Sequence, residues 1–411
     1  MINLSRRDRK IGTFLVVSYL IFNYVRPQEF IPGLSEIRIA GILFLCTTLW
    51  GVWHIRKFIF GTPVGLIFFI GILLFISGIG AINVASYKYA IKYITELFPQ
   101  CVAIYLIFDN KERIEYLLKI WCWIFFLSAI ITISKGGLGP GSFIYDPNDT
   151  SLFLCMGLPL YLYINRYLGS TKSTKYILLC AALIVFIAII LTNSRGGFLG
   201  LVATLLMIWW FSRHRLRNFT ISIIFFAIFS GAAISLLPEH YLQEMETIND
   251  PNDPTRVERI RTWEIAWIMY KDNIIFGVGG GNFPYNAGFY QKMATWWTGN
   301  EKSLQGRVTH SIYFQVLSEL GTVGSLVYLY VMIVMPYRLY SIYKKRQYEN
   351  SENEIESILT LFLILSMGSY LVAGAFISVA FYPHIPIWLT MYAILRRYQQ
   401  SISSSKQQFE S

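Results

Sequence analysis

His310 opens the stretch "HSIYFQVLSELG" (310–321), and Arg307 stands one turn before it. The chain has only five histidines, so one placed beside an arginine, where a long apolar run begins, carries information. A neutral imidazole near pH 7 can take a proton from a hydroxyl. Further arginines stand in two other segments. Arg256, Arg259 and Arg261 crowd the start of "TRVERIRTWEIAWIMYKDN" (255–273), and Arg195 sits inside "LTNSRGGFLG" (191–200). A guanidinium matches phosphate oxygens in a fork, and a helix N-terminus offers unsatisfied N–H groups to the same anion. The chemistry these types suit is proton abstraction next to a bound phosphate. Plainer readings stand beside it. Glu258 and Glu264 can pair with the arginines, and Arg195 can reach lipid headgroups.

The other polar motifs are less specific. "FGVGGGNFPY" (276–285) places Gly279, Gly280 and Gly281 in a tight turn that either faces a ligand or only closes a hairpin. It lacks the lysine and the strand–loop–helix setting of a nucleotide loop. "YDPNDTS" (145–151) and "NDPNDPT" (249–255) share Asp-Pro-Asn-Asp. Their carboxylates suit a hard cation, but turns and helix caps, with Asp149 or Thr150 capping the next helix, are the stronger expectation. Glu319 lies nine residues past His310, roughly 14 Å deeper along a straight helix and on its opposite side. Gln315, Ser318 and Glu319 are therefore expected to lock this helix among its neighbours. Cys46, Cys101, Cys122, Cys155 and Cys180 all fall in apolar segments without paired spacing, which predicts packing residues.

These residues are carried by a chain that reads as a membrane protein. It has 411 residues, 55% hydrophobic and 14% charged, against roughly 25% charged in soluble domains. Mean hydropathy is +0.48. Apolar windows near 11–25, 38–54, 63–83, 89–108, 114–134, 149–166, 175–193, 196–212, 218–237, 310–335, 355–378 and 384–396 give twelve candidate helices. The expectation is an all-α polytopic membrane protein. Residues 1–237 hold helices one to nine, 238–309 a large outer loop, 310–400 the last three helices and 401–411 a tail. The N-terminal apolar run has no cleavage site after it and is expected to be retained. The net charge of +11 could suit nucleic acid or reflect membrane topology. With the N-terminus inside, the inner segments hold 21 of the 35 lysines and arginines, the pattern of the positive-inside rule, so the charge is read as topology. Both termini are then expected to be cytoplasmic. In the outer loop, Val257, Ile260, Trp263, Trp267 and Tyr270 recur every three or four residues, which predicts an amphipathic helix at the membrane interface.

Every candidate reactive group then falls on the outer side, where no nucleotide energy is at hand. A reaction there needs a substrate already activated and delivered in the membrane, and a lipid-linked diphosphate sugar meets that need. At this point the ordered set "SRGG" (194–197), "RIRTW" (259–263), "FGVGGGNF" (276–283) and "HSIYFQVLSELGTVG" (310–324) resembles the core of the O-antigen ligase and polymerase superfamily. "YVRPQEFIPGL" (24–34) and "DPNDTSLFLCMGLPL" (146–160) are similar to its exosortase-associated O-glycosylation ligases.

The resemblance implies a GT-C-like glycosyltransferase of the bacterial inner membrane, with about twelve helices and a periplasmic loop. It implies transfer from undecaprenyl diphosphate to an acceptor, without metal or other cofactor, and with inversion. By motif, His310 would be the catalytic base, and Arg195, Arg259 and Arg261 would bind the diphosphate. Arg256, Arg307, Gly279, Gly280 and Gly281 are candidate contacts to donor or acceptor. Arg261 stands where the family pattern has a small polar residue, so the leading part falls to Arg259 or to Arg261. The leading expectation is O-antigen ligation onto a lipid A–core acceptor. A second lipid-linked repeat (polymerase) or a glycoprotein acceptor would use the same donor, and a transporter or flippase is the reading from another class. Membrane lipids, but no nucleic acid, are expected partners.

Overall fold

A computed structural model describes residues 4–31, 33–34, 36, 38–55, 59–168, 171–212, 253–348 and 353–410, with 404–410 described by backbone alone. The expected span at 218–237, the start of the outer loop and the second Asp-Pro-Asn up to residue 252 lie outside the described residues.

Among the described residues the secondary structure is helical throughout. The helices are α1 (Arg6–Tyr24), α2 (Ile39–His54), α3 (Gly65–Ser77), α4 (Ala85–Ile107), α5 (Lys111–Ser134), α6 (Pro147–Leu168) and α7 (Lys172–Leu191). They continue with α8 (Arg195–Trp210), α9 (Pro254–Asp272), α10 (Phe283–Tyr290), α11 (Ile312–Tyr348), α12 (Glu354–Gly374) and α13 (His384–Glu410). Short polar side chains set many of the starts. Ser5, Asn110, Thr171, Ser194, Asp253 and Asn353 each accept a backbone N–H of the first turn, which satisfies donors that the helix itself leaves open.

Five described helices, α4, α5, α7, α11 and α12, are long and apolar enough to cross a membrane. Three more apolar helices, α2, α3 and α8, are shorter. The protein is thus a polytopic helical membrane protein. α6 owes its place to protein contacts: residues 149–161 are all buried, packed chiefly against α7, α8 and α12. A helix enclosed by other helices can keep polar side chains that a lipid-facing one cannot. At one end of the bundle, charged contacts tie the helices together. Arg9 and Arg113 both pair with Asp109, Arg346 pairs with Glu356, and Arg397 donates to the carbonyls of Tyr105 (2.6 Å) and Phe108 (2.9 Å).

Three expectations need correction. The stretch 310–335 is not one straight helix, because Gly321 (φ 62°, ψ −156°) breaks α11. The first limb, up to Leu320, runs beside α9, with Trp263 stacked on Phe314 at 5.3 Å. Glu319 therefore sits at a break and does not lie partway down a straight span. Secondly, α6 begins at Pro147, so Asp146, not Asp149 or Thr150, stands at its start and accepts the Asn148 N–H (2.8 Å). Thirdly, Cys46 and Cys180 are exposed, so only Cys101, Cys122 and Cys155 are packing residues.

Candidate active site

The helix break between α7 and α8 places Arg195. Asn193 takes a left-handed conformation (φ 53°), and Ser194 caps α8 by accepting the Gly197 N–H (2.9 Å) while donating to Asn148 Oδ1 (2.7 Å). A side chain at Gly197 would meet Ser151 Oγ at 2.1 Å, so glycine lets α8 press onto α6. Arg195, the first residue of α8, therefore sits beside the start of α6.

α9 brings the second arginine. Asp253 caps it by accepting the Arg256 N–H (2.9 Å), and its other carboxylate oxygen lies 3.5 Å from Arg195. Further along, the Arg259 guanidinium lies over the Phe376 ring at 5.7 Å. Its Nε is buried without a hydrogen-bond partner among the described residues. A buried unpaired donor is costly.

His310 is held by its backbone. Its φ of 48° is an uncommon left-handed conformation for a residue with a side chain. The neighbouring Thr309 carbonyl accepts from Trp263 Nε1 (3.0 Å) and from the Thr262 hydroxyl (3.4 Å). The Thr309 hydroxyl shares a hydrogen bond with Ser378 Oγ (2.9 Å). The strained turn is thus pinned by α9 on one side and by the loop between α12 and α13 on the other. Strain of this kind persists where surrounding contacts enforce it and is common at functional sites.

The charges act on one another. Burial lowers the pKa of Arg259, and the like charge of Arg195 lowers it further, while Asp253 opposes both. Burial likewise lowers the pKa of His310; Arg259 and Arg307 add to this, and Glu258 and Asp146 oppose it. Arg259 therefore acts on both Arg195 and His310, and burial favours the neutral form of the His310 imidazole.

The other expected residues fall elsewhere or play a plainer part. Arg261 turns away, over the Trp296 ring at 4.6 Å, so the geometry groups Arg259 and not Arg261 with Arg195. Arg256 is exposed on the first turn of α9. Arg307 is exposed and pairs with Glu258 at 3.3 Å. Gly279, Gly280 and Gly281 pack against α3 and α4, where added side chains would meet Ser86, Leu74 and Tyr89. Val278 and Gly279 donate backbone N–H bonds to the carbonyls of Ser318 and Glu319 (both 2.9 Å). Glu319 accepts the Phe283 N–H (2.9 Å), and Gln315 accepts the Ala380 N–H (3.1 Å). These polar residues dock loops onto α11, in line with the locking role expected of them.

Phe376 and Ser378, on the loop between α12 and α13, went unnoticed in the sequence. The only hint was a short connection, "AFISVAFYPHIP", rich in aromatic and hydroxyl residues. An apolar groove of about 720 Å³ runs from this neighbourhood between α9 and α11, walled by Trp263, Trp267, Tyr313, Leu317 and Leu329. It explains why Ile260 and Trp267 of the expected apolar stripe stay exposed, while α9 buries Thr262, Ile265, Ala266 and Met269.

The chain is a polytopic helical protein in which a histidine near Arg259 stands by an apolar groove. Residues 180–329 match the family model described as O-Antigen ligase, a stretch that takes in Arg195, Arg259, Arg261 and His310. A curated protein, Teichuronic acid biosynthesis protein TuaE of Bacillus subtilis (strain 168), is 24% identical over 282 residues. That alignment covers 64% of this chain and 53% of the relative, so it spans about half of the relative's length.

Proposed function

We propose that the protein transfers a glycan from a lipid-linked diphosphate to an acceptor hydroxyl, and that the reaction is O-antigen ligation onto a lipid A–core acceptor. The observation that supports this reading is Arg259 standing close enough to both Arg195 and His310 to act on each, with Asp253 bridging Arg195 to the start of α9. The acceptor oxygen attacks the anomeric carbon from the side opposite the diphosphate. Its proton passes to His310, and the electron pair of the breaking C–O bond goes to the leaving diphosphate oxygen. Such a displacement inverts the anomeric centre. Arg195 and Arg259 neutralise the charge that grows on the diphosphate, a task in which fixed cations in a partly dry site are most effective. The groove between α9 and α11 would seat the polyprenyl tail, and Trp263 joins the groove to the reacting groups. In this reading the site faces the periplasm and both termini the cytoplasm.

The second reading keeps the donor and makes another lipid-linked repeat the acceptor, so that the protein is a polymerase. The name of the Bacillus relative, which refers to biosynthesis of teichuronic acid and not O-antigen, favours keeping it.

Purified protein given undecaprenyl-diphosphate glycan with lipid A–core, or with donor alone, separates the two. Ligation predicts a product only with the core, and polymerisation predicts longer donor-linked chains without it. His310→Ala should lower kcat by about 10²–10⁴-fold, the usual worth of a positioned base. Full activity in both His310→Ala and Arg259→Ala would overturn the assignment.

A further inference from the structure

At the end of the bundle away from His310, a hollow of about 590 Å³ opens between α1 and α5. Arg6, Arg9 and Lys10 line it from α1, and Arg113 lines it from α5. Below them, one turn to three turns further along α1, Phe14 and Val17 continue the same wall, and Tyr116 faces them from α5. Charge at the mouth and apolar surface beneath match a molecule with an anionic head and a hydrocarbon tail.

The cations outnumber what the protein supplies to balance them. Asp109 is engaged twice, by Arg9 (2.8 Å) and by Arg113. Asp8 is tied to the Ser5 hydroxyl (2.6 Å), and Glu115 pairs with Lys119 (2.7 Å). Arg6 and Lys10 make no ion pair among the described residues. The apolar part is equally uncovered, with Phe14 67% and Tyr116 47% exposed. Both rings line the same hollow as the four cations, whereas cations that only set topology would need no apolar lining.

We infer that this hollow binds one anionic phospholipid, its phosphate among Arg6, Arg9, Lys10 and Arg113 and an acyl chain along Phe14 and Tyr116. Basic pockets between membrane helices are a recurrent seat for such headgroups. The lipid would also bridge α1 and α5, the two helices that Asp109 links through Arg9 and Arg113. It takes no part in the transfer reaction, so the inference stands independently of the proposed function.

The test uses the purified full chain in a zwitterionic phosphatidylcholine background, titrated with phosphatidylglycerol. Native mass spectrometry counts retained lipid, and thermal melting follows its effect. One phosphatidylglycerol should bind saturably per chain and raise the melting temperature, whereas added phosphatidylcholine should not. The Arg6→Gln/Lys10→Gln double variant should bind about thirtyfold more weakly while melting as the parent does in phosphatidylcholine alone. Phe14→Ala should weaken lipid retention as well. Equal retention of both lipids, or unchanged binding in the double variant, would overturn the inference. Displacement by millimolar inorganic phosphate would overturn it too, since that would make the hollow a site for the free anion.

Discussion

The Arg195 guanidinium lies 3.5 Å from the Asp253 carboxylate, and that carboxylate also caps the helix that carries Arg259. One acid thus coordinates two distant parts of the chain, the start of α8 and the start of α9. In the proposed reaction it would compete with the diphosphate for Arg195.

Asp253→Asn separates these parts, because asparagine caps a helix about as well as aspartate but carries no charge. The melting temperature should barely move. With the competing negative charge gone, the KM for a diphosphate-linked donor should fall by about two- to fivefold, as for an ion pair worth up to about 1 kcal/mol. Inhibition by free diphosphate should strengthen in parallel. A rise in KM would mean that the pair serves mainly to position Arg195.

The pH dependence follows from His310. Burial, followed by Arg259, disfavours its protonated form, so its folded pKa lies below the ordinary 6.5. A base must be neutral to act, so transfer should hold through neutral pH and fall only as the pH drops below about 6.5. Two exposed or half-exposed neighbours allow a check of sign. Arg307→Gln removes a charge that lowers this pKa and should move the acid limb of kcat to higher pH. Glu258→Gln removes one that raises it and should move the limb lower. Shifts of the same direction in both variants would show that the limb belongs to another group.

The break in α11 rests on two glycines that face each other. Gly321 has φ 62° and Gly277 has φ 67°, and a side chain on Gly277 would lie 2.4 Å from the Glu319 carbonyl carbon. Backbone bonds from Thr322 to the Ile274 carbonyl (2.7 Å) and from Val323 to Ile275 (3.2 Å) close the contact. Gly277→Ala should cost at least about 2 kcal/mol, from the left-handed conformation together with the overlap. Gly299→Ala, also at positive φ but in open space, should cost only about 1 kcal/mol. Thermal melts of the two variants, side by side, measure the difference. Equal melts would mean that the loop can withdraw from α11.

Much of this architecture was written in local patterns. The three- and four-residue spacing from Val257 to Tyr270 placed α9 to within a residue of its observed bounds, Pro254–Asp272. The break that presents Arg195 lies in "TNSRGG", where a serine cap followed by glycines is a local signal. Long-range packing was not legible. Arg259 and Arg261 are two residues apart, hence about 200° apart around a helix, so only one of them can face Arg195. Which one depends on where Phe376 and Trp296 sit, and these are distant in sequence. The kink at Gly321 was equally hidden, since a single glycine in an apolar periodic run is compatible with an unbroken helix. Its positive φ comes from the loop at 274–279, which bonds to both sides of the break.

Trp263 offers the most direct test of how the groove and the base are joined. Its ring stacks on Phe314 with 12° between planes, and its Nε1–H donates to the Thr309 carbonyl (3.0 Å) next to His310. Trp263→Phe keeps an aromatic wall but loses the hydrogen bond that pins the strained turn. A net hydrogen bond is worth about 0.5–1.5 kcal/mol, so kcat should fall by about three- to tenfold with the donor KM unchanged. Trp263→Ala removes the wall as well. Its KM should rise for a donor with a full-length polyprenyl chain, yet stay near the parent value for a donor with a short prenyl chain that does not fill the groove. If both donors respond alike, the groove does not hold the tail, and Trp263 acts on His310 alone.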